Sequence, residues 1–96
     1  MFTVIISFPS VKEGKDVEFQ KWFDSSNQAY SGFKGFISRK LLRPLEPGNY
    51  AAIVEFDNQD GFRTMHSSFI HEQQGEEVRS LFDGKPTPNF YEVVRG

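Results

Sequence analysis

An α+β fold, with elements in the order β-α-β-β-α-β, is what these 96 residues predict. Three observations carry that expectation. The chain opens on Phe2-Thr3-Val4-Ile5-Ile6-Ser7-Phe8, an apolar run rich in β-branched residues. Two longer segments carry apolar residues at three- and four-residue steps, the period of one helix face. Between them lie two further apolar runs joined by Glu46-Pro47-Gly48-Asn49, which is turn chemistry. That order is a split β-α-β layout.

Strand one, Phe2 to Phe8, is closed by Pro9, which cannot donate to a sheet ladder. It does not alternate cleanly between apolar and polar residues, so it asks for cover on both faces. The chain has helices enough for one face only. Helix one follows the connection Ser10 to Gly14, with Phe19, Trp22, Phe23, Ser26 and Tyr30 on its apolar face and Glu18, Gln20, Lys21, Asp24 and Gln28 toward solvent. Gly32 and Gly35 end it. Strand two runs from Phe36 to Leu45, with Ser38, Lys40 and Leu42 on one side and Ile37, Arg39 and Leu41 on the other. Strand three is Tyr50 to Phe56. Asp57 or Asn58 then caps a second helical stretch, in which Phe62, Met65, His66, Phe69 and Ile70 share a face. Ser67-Ser68 offers a break and a fresh cap, and Val78, Leu81 and Phe82 form the last apolar stripe. After Asp83-Gly84-Lys85-Pro86, Phe90 to Val94 supplies the closing strand.

Length fits one domain, residues 1–96. The 11 Phe predict a Phe-packed core or an aromatic-lined pocket, with the core as the default reading. Net charge is −2 and the basic residues are scattered, which argues against nucleic acid as a partner. There is no cysteine, hence no disulfide, thiolate nucleophile or Cys-ligated metal. No leader pattern opens the chain and no long apolar run occurs, so the expectation is a cytoplasmic protein without a membrane partner.

The chain resembles the antibiotic biosynthesis monooxygenase domain of the dimeric α/β-barrel superfamily. The matching pieces are Gly14-Lys15 and Phe19, Gly35-Phe36, Leu41-Leu42-Arg43-Pro44, Tyr50, Phe56-Asp57, Phe62 and Met65 with Ser68 and His71, and Tyr91-Glu92-Val93. The resemblance implies a ferredoxin-like fold with an antiparallel sheet that forms a homodimer by packing open sheet faces together, which is the cover strand one lacks. It also implies a pocket between sheet and helices for a small hydrophobic or aromatic molecule, and oxygenation of aromatics or quinols without cofactor. A branch of the family degrades haem, with an Asn on strand one, a Trp on helix two and a haem-ligating His. Here Ser7, Met65 and, ten residues after Met65, Gly75 stand at those positions, so haem is disfavoured.

Within that frame His66 and Tyr30 are the catalytic candidates, and Ser7, Tyr91, Met65 and Trp22 the substrate-binding ones. His66 can serve as a general base; a core histidine with one backbone hydrogen bond is the commoner role and the preferred reading. His71, beside Glu72 and Gln73, reads as a capping or surface histidine. Tyr30, Tyr91 and Trp22 each have the plainer role of a core ring. Glu55, a carboxylate among apolar residues, either pairs with Arg39 across strands two and three or meets a dimer partner; the cross-strand pair is preferred. The histidines and acids show no metal-ligand spacing, so no metal site is expected. A non-catalytic dimeric binding module for a hydrophobic ligand or haem is the alternative to an enzyme.

Overall fold

A computed structural model describes residues 1–96. The elements are β1 (Phe2–Ser7), α1 (Asp16–Tyr30), β2 (Phe36–Leu42), β3 (Ala51–Phe56), α2 (Gln59–His66), α3 (Phe69–Val78), a 3₁₀ turn at Arg79–Leu81, and β4 (Thr87–Glu92). The four strands form one sheet in the order β2-β3-β1-β4, with every neighbouring pair antiparallel. This is the ferredoxin-like arrangement the element order predicts. Strand ends differ from the sequence reading, by one residue at the end of β1 and the start of β3 and by more in β2 and β4. β2 stops at Leu42, before Arg43 and Pro44, and β4 begins at Thr87 rather than Phe90. Pro88 is tolerated inside β4 because that strand lies at the sheet edge.

Strand register decides which side chains meet. Val4 sits opposite Val54 and Phe90, and Ile6 opposite Ala52 and Pro88; this face lies under the helices. Thr3, Ile5 and Ser7 point the other way, level with Glu55, Ile53 and Ala51 of β3. The helices cover one face of the sheet only, as their number requires.

The second helical stretch is two helices. Asn58 caps α2 by accepting from the Gly61 N–H at 3.1 Å, and Ser68 caps α3 by accepting from the His71 N–H at 3.1 Å. Ser68 also donates to the Met65 carbonyl at 2.6 Å, which ties the new cap to the end of the old helix. The break overturns the single apolar stripe expected from Phe62 to Ile70. Phe62 and Met65 are buried, whereas Phe69 is 75 % exposed. No helix is long and apolar enough to cross a membrane.

The core is aromatic and comes in two halves. One gathers Phe8, Phe19, Phe23, Val78, Leu81 and Phe82; the other gathers Val4, Tyr30, Val54, Phe56, Phe62 and Met65. Phe19 meets Phe8 edge-on at 5.2 Å, and Phe62 meets Phe56 edge-on at 5.8 Å, the orientation ring quadrupoles favour.

Candidate functional site

Arg39 is the least expected occupant of the interior. It is 7 % exposed and stands on β2 with its side chain under the helices. A bulge puts it there. The β2–β3 register slips between Phe36 and Ser38, so Ile37 is an extra residue and the strand's alternation changes phase. Ser38 then faces Glu55, Arg39 faces Val54, and every later residue of β2 follows. The guanidinium Nη1 donates to Ser26 Oγ at 2.7 Å and to Asn27 Oδ1 at 2.9 Å, while Asn27 Nδ2 donates back to the Arg39 carbonyl at 2.8 Å. Its carbon lies 4.0 Å from the Phe23 ring centre, 4.9 Å from Tyr30 and 5.6 Å from Trp22. These rings offer their negative faces to the cation. No carboxylate pairs with it. Burial accordingly pulls its pKa down to about 10, partly opposed by the Tyr30 hydroxyl, and the group still carries its charge at neutral pH.

A histidine pair sits nearby. The break at Ser67-Ser68 turns the chain so that the His71 ring lies 4.4 Å from His66 and stacks on Tyr30 at 5.8 Å. His66 in turn stacks on Phe62 at 5.5 Å. His71 is half-buried, and burial first, then His66 and Arg39, push its pKa down to about 4. Its imidazole is therefore neutral at physiological pH. Burial also pushes the Tyr30 hydroxyl up to about 12, against the pull of Arg39, and Glu77 adds to the rise. Tyr30 is thus a permanent donor.

These groups share a cavity of about 510 Å³, within the range typical of small-molecule sites. Both halves of the core supply its walls. Ile6 and Phe8 come from the first strand and its end, Trp22 and Tyr30 from α1, Arg39 and Val54 from the sheet, Phe62, Met65 and His66 from α2, and His71, Gly75 and Val78 from α3. Phe82, Lys85 and Pro88 complete the rim on the far side, with Glu72, Glu76 and Arg79. Trp22 is held by its Nε1–H, which donates to the Gln74 carbonyl at 2.9 Å.

No protein-family model matches the sequence, and no curated protein matches it either. Solved structures do. SnoaB, a cofactor-independent oxygenase from Streptomyces nogalater, superposes in a point-mutant form with a TM-score of 0.84, at 20% identity, over 99% of this chain and 94% of its own. A candidate antibiotic biosynthesis monooxygenase from Caulobacter crescentus superposes equally well, TM-score 0.84 at 19% identity over 98% of this chain and 90% of its own. A protein described as an antibiotic biosynthesis monooxygenase gives 0.81 at 11% identity, over 99% of this chain and 100% of its own. This chain has the antibiotic biosynthesis monooxygenase fold.

Within this fold, four of the six candidate residues, Tyr30, His66, Met65 and Trp22, line the cavity. Two do not. Ser7 is exposed on the opposite face of the sheet, because odd-numbered residues of β1 point away from the helices. Tyr91 sits level with Thr3 on that same far face and is 54 % exposed. His66 is exposed at the cavity mouth with no hydrogen bond to backbone, so the core-histidine reading fails as well. His71, read as a capping or surface ring, is the more buried of the pair; its N–H is capped by Ser68 while its ring turns inward. The expected Arg39–Glu55 pair is absent. Ser38, one position earlier, meets Glu55 and donates to its Oε1 at 3.2 Å. Arg39, His71 and Asn27 are thus functional candidates that periodicity missed. The one signal for Arg39 in the sequence is its place beside Leu41 on an alternating strand.

Proposed function

We propose that the chain is a cofactor-independent monooxygenase acting on a small, electron-rich aromatic or quinol bound between the sheet and the helices. The observation that carries this reading is the His71–His66 ring pair, with His71 stacked on Tyr30 in an aromatic cavity beside the buried Arg39. The likeness to SnoaB, itself described as cofactor-independent, supports it.

In this reading the neutral His71 accepts a hydrogen bond from the ring hydroxyl and orients it, and His66, adjacent and exposed, takes the proton and hands it to water. The substrate anion is then electron-rich enough to reduce dioxygen. One oxygen atom bonds to the ring carbon, and the other leaves with two substrate hydrogens as water, so all electrons come from the substrate. Tyr30, held protonated, donates a hydrogen bond to the oxygen that becomes negative. Trp22 and Met65 are walls that keep the ring flat and the site dry.

The test is oxygen consumption with aromatic quinols and anthrones. Expected are one O₂ consumed per substrate, one ¹⁸O atom in the product from labelled O₂, and a loss of about 10²-fold in kcat for His71→Phe. Equal product with and without air, and no oxygen uptake, would sink the reading.

We also propose that a second copy of the chain covers the open sheet face. Support comes from Ile5, Ile53, Leu42 and Tyr91 on that face, the last two 44 % and 54 % exposed, and from Thr3 Oγ1, which is buried there without a partner.

A further inference from the structure

The hydrogen bonds of Arg39 are lopsided. All three leave from Nη1, to Ser26 Oγ, Asn27 Oδ1 and, at 3.5 Å, the Phe23 carbonyl. Nε and Nη2 form the other edge of the guanidinium and have no acceptor anywhere in the chain. Neither is among the polar atoms sealed from solvent, although the residue as a whole is almost wholly buried. Arg39 is a wall of the cavity, which offers a ligand a route to that free edge.

A buried cation without an anion is costly, and the protein offers it only ring faces and neutral acceptors. The two N–H groups of the Nε–Nη2 edge are parallel and spaced to match the two oxygens of a carboxylate, the fork-to-fork pairing in which arginine excels. A lone phenol oxygen uses only one of them. Clamping by Ser26 and Asn27 fixes the guanidinium in advance, so little freedom is lost when a ligand docks. The remaining charges on the cavity wall do not oppose this. Arg79 and Lys85 stand against Glu72 and Glu76, and Glu76 is already paired with Arg79 at 3.3 Å.

We propose that the cavity selects aromatic acids: a flat ring carrying a carboxylate, seated so that the carboxylate meets the Nε–Nη2 edge of Arg39. This rests on the cavity being an aromatic-binding site, as in the oxygenase reading, and adds the charge of what it takes. Arg39 is then a specificity-determining residue. It also orients the ring, because the carboxylate fixes one end beside β2 and leaves the other toward His71 and the mouth.

Binding of two inert, nearly isosteric ligands tests the idea without any turnover. 2-Naphthoate and 2-naphthamide differ in charge and little else, and calorimetry at neutral pH gives both affinities for the intact chain. Expected is at least a tenfold preference for the naphthoate, shrinking as salt is raised. In Arg39→Gln the preference falls to about onefold, with the amide's affinity little changed; Arg39→Lys keeps a part of it. Equal affinities for the wild-type protein overturn the proposal whether or not any variant folds. So does a preference that survives Arg39→Gln. If neither ligand binds, the aromatic-site reading falls and this proposal falls with it. A clear naphthoate preference in a protein that consumes no oxygen upholds the acid-selective cavity and removes the oxygenase alone.

Discussion

His71 shows how a single side chain acquires its chemistry from position. A free histidine has a pKa of about 6.5. Half-burial, the adjacent His66 and the Arg39 cation push this one down to about 4. Between those two pH values the unfolded chain binds a proton that the folded chain refuses. Stability therefore falls as pH drops from about 6.5 through about 4, and above 6.5 the residue has no effect. Because the ring is only half-buried, solvent screening limits the loss to about 1–2 kcal/mol. Denaturant titrations at pH 7.5, 6 and 4.5 check this: the wild type loses that much relative to His71→Gln. Parallel curves for the two proteins contradict it. Arg39 carries the opposite lesson. Its charge is retained in the interior because Ser26, Asn27 and three ring faces surround it.

At the scale of elements, the short break between α2 and α3 builds the site. A continuous helix from Gln59 onward keeps Phe69 and Ile70 under Met65; the Ser68 cap instead restarts the helix and swings His71 inward. Gly75, in the middle of α3, lines the cavity, and a Cβ added there meets nothing within 4 Å. Helix propensity then makes Gly75→Ala stabilising by about 0.5–1 kcal/mol, readable in a urea melt. Gly75→Phe fills space a ligand needs, so it leaves the melt near that of the wild type and weakens binding of any cavity ligand at least tenfold. Gly61 is the contrasting case. A Cβ there lies 2.8 Å from the Lys34 carbonyl oxygen and 3.2 Å from Phe56, so only glycine lets α2 seat against the chain entering β2.

For the whole molecule, the sheet has helices on one side and Ile5, Ile53, Leu42 and Tyr91 on the other. Those four apolar side chains lie among Ser7, Ser38, Lys40, Glu55 and Asn89 on the same face, and a mixed apolar and polar patch of this kind fits an interface between two copies. The proposed dimer buries an interface of about 1,600 Å² or more. Light scattering at micromolar concentration is expected to give twice the chain mass of 11.1 kDa. Ile53→Glu, which sets a charge at the centre of that face, is expected to give monomers. A wild-type monomer at these concentrations contradicts the proposal.

Strand order, the helix-one face and the turn at Glu46-Pro47-Gly48-Asn49 were legible from residue patterns, because periodicity and turn chemistry act over a few neighbouring residues. Trp22, Tyr30, Met65 and His66 could be placed at the cavity for the same reason, since each lies on the inner face of its helix. Ser7, Tyr91 and Arg39 could not be placed. Whether a strand residue points in or out depends on register, and one bulged residue at Ile37 reverses it. The sequence by itself determined which elements form and in what order. Ser67-Ser68 already offered the break before α3, but the pairing and packing of the elements alone decided that a cation, two imidazoles and a phenol meet in one cavity, because only long-range contacts bring residues so far apart in the chain within reach of one another.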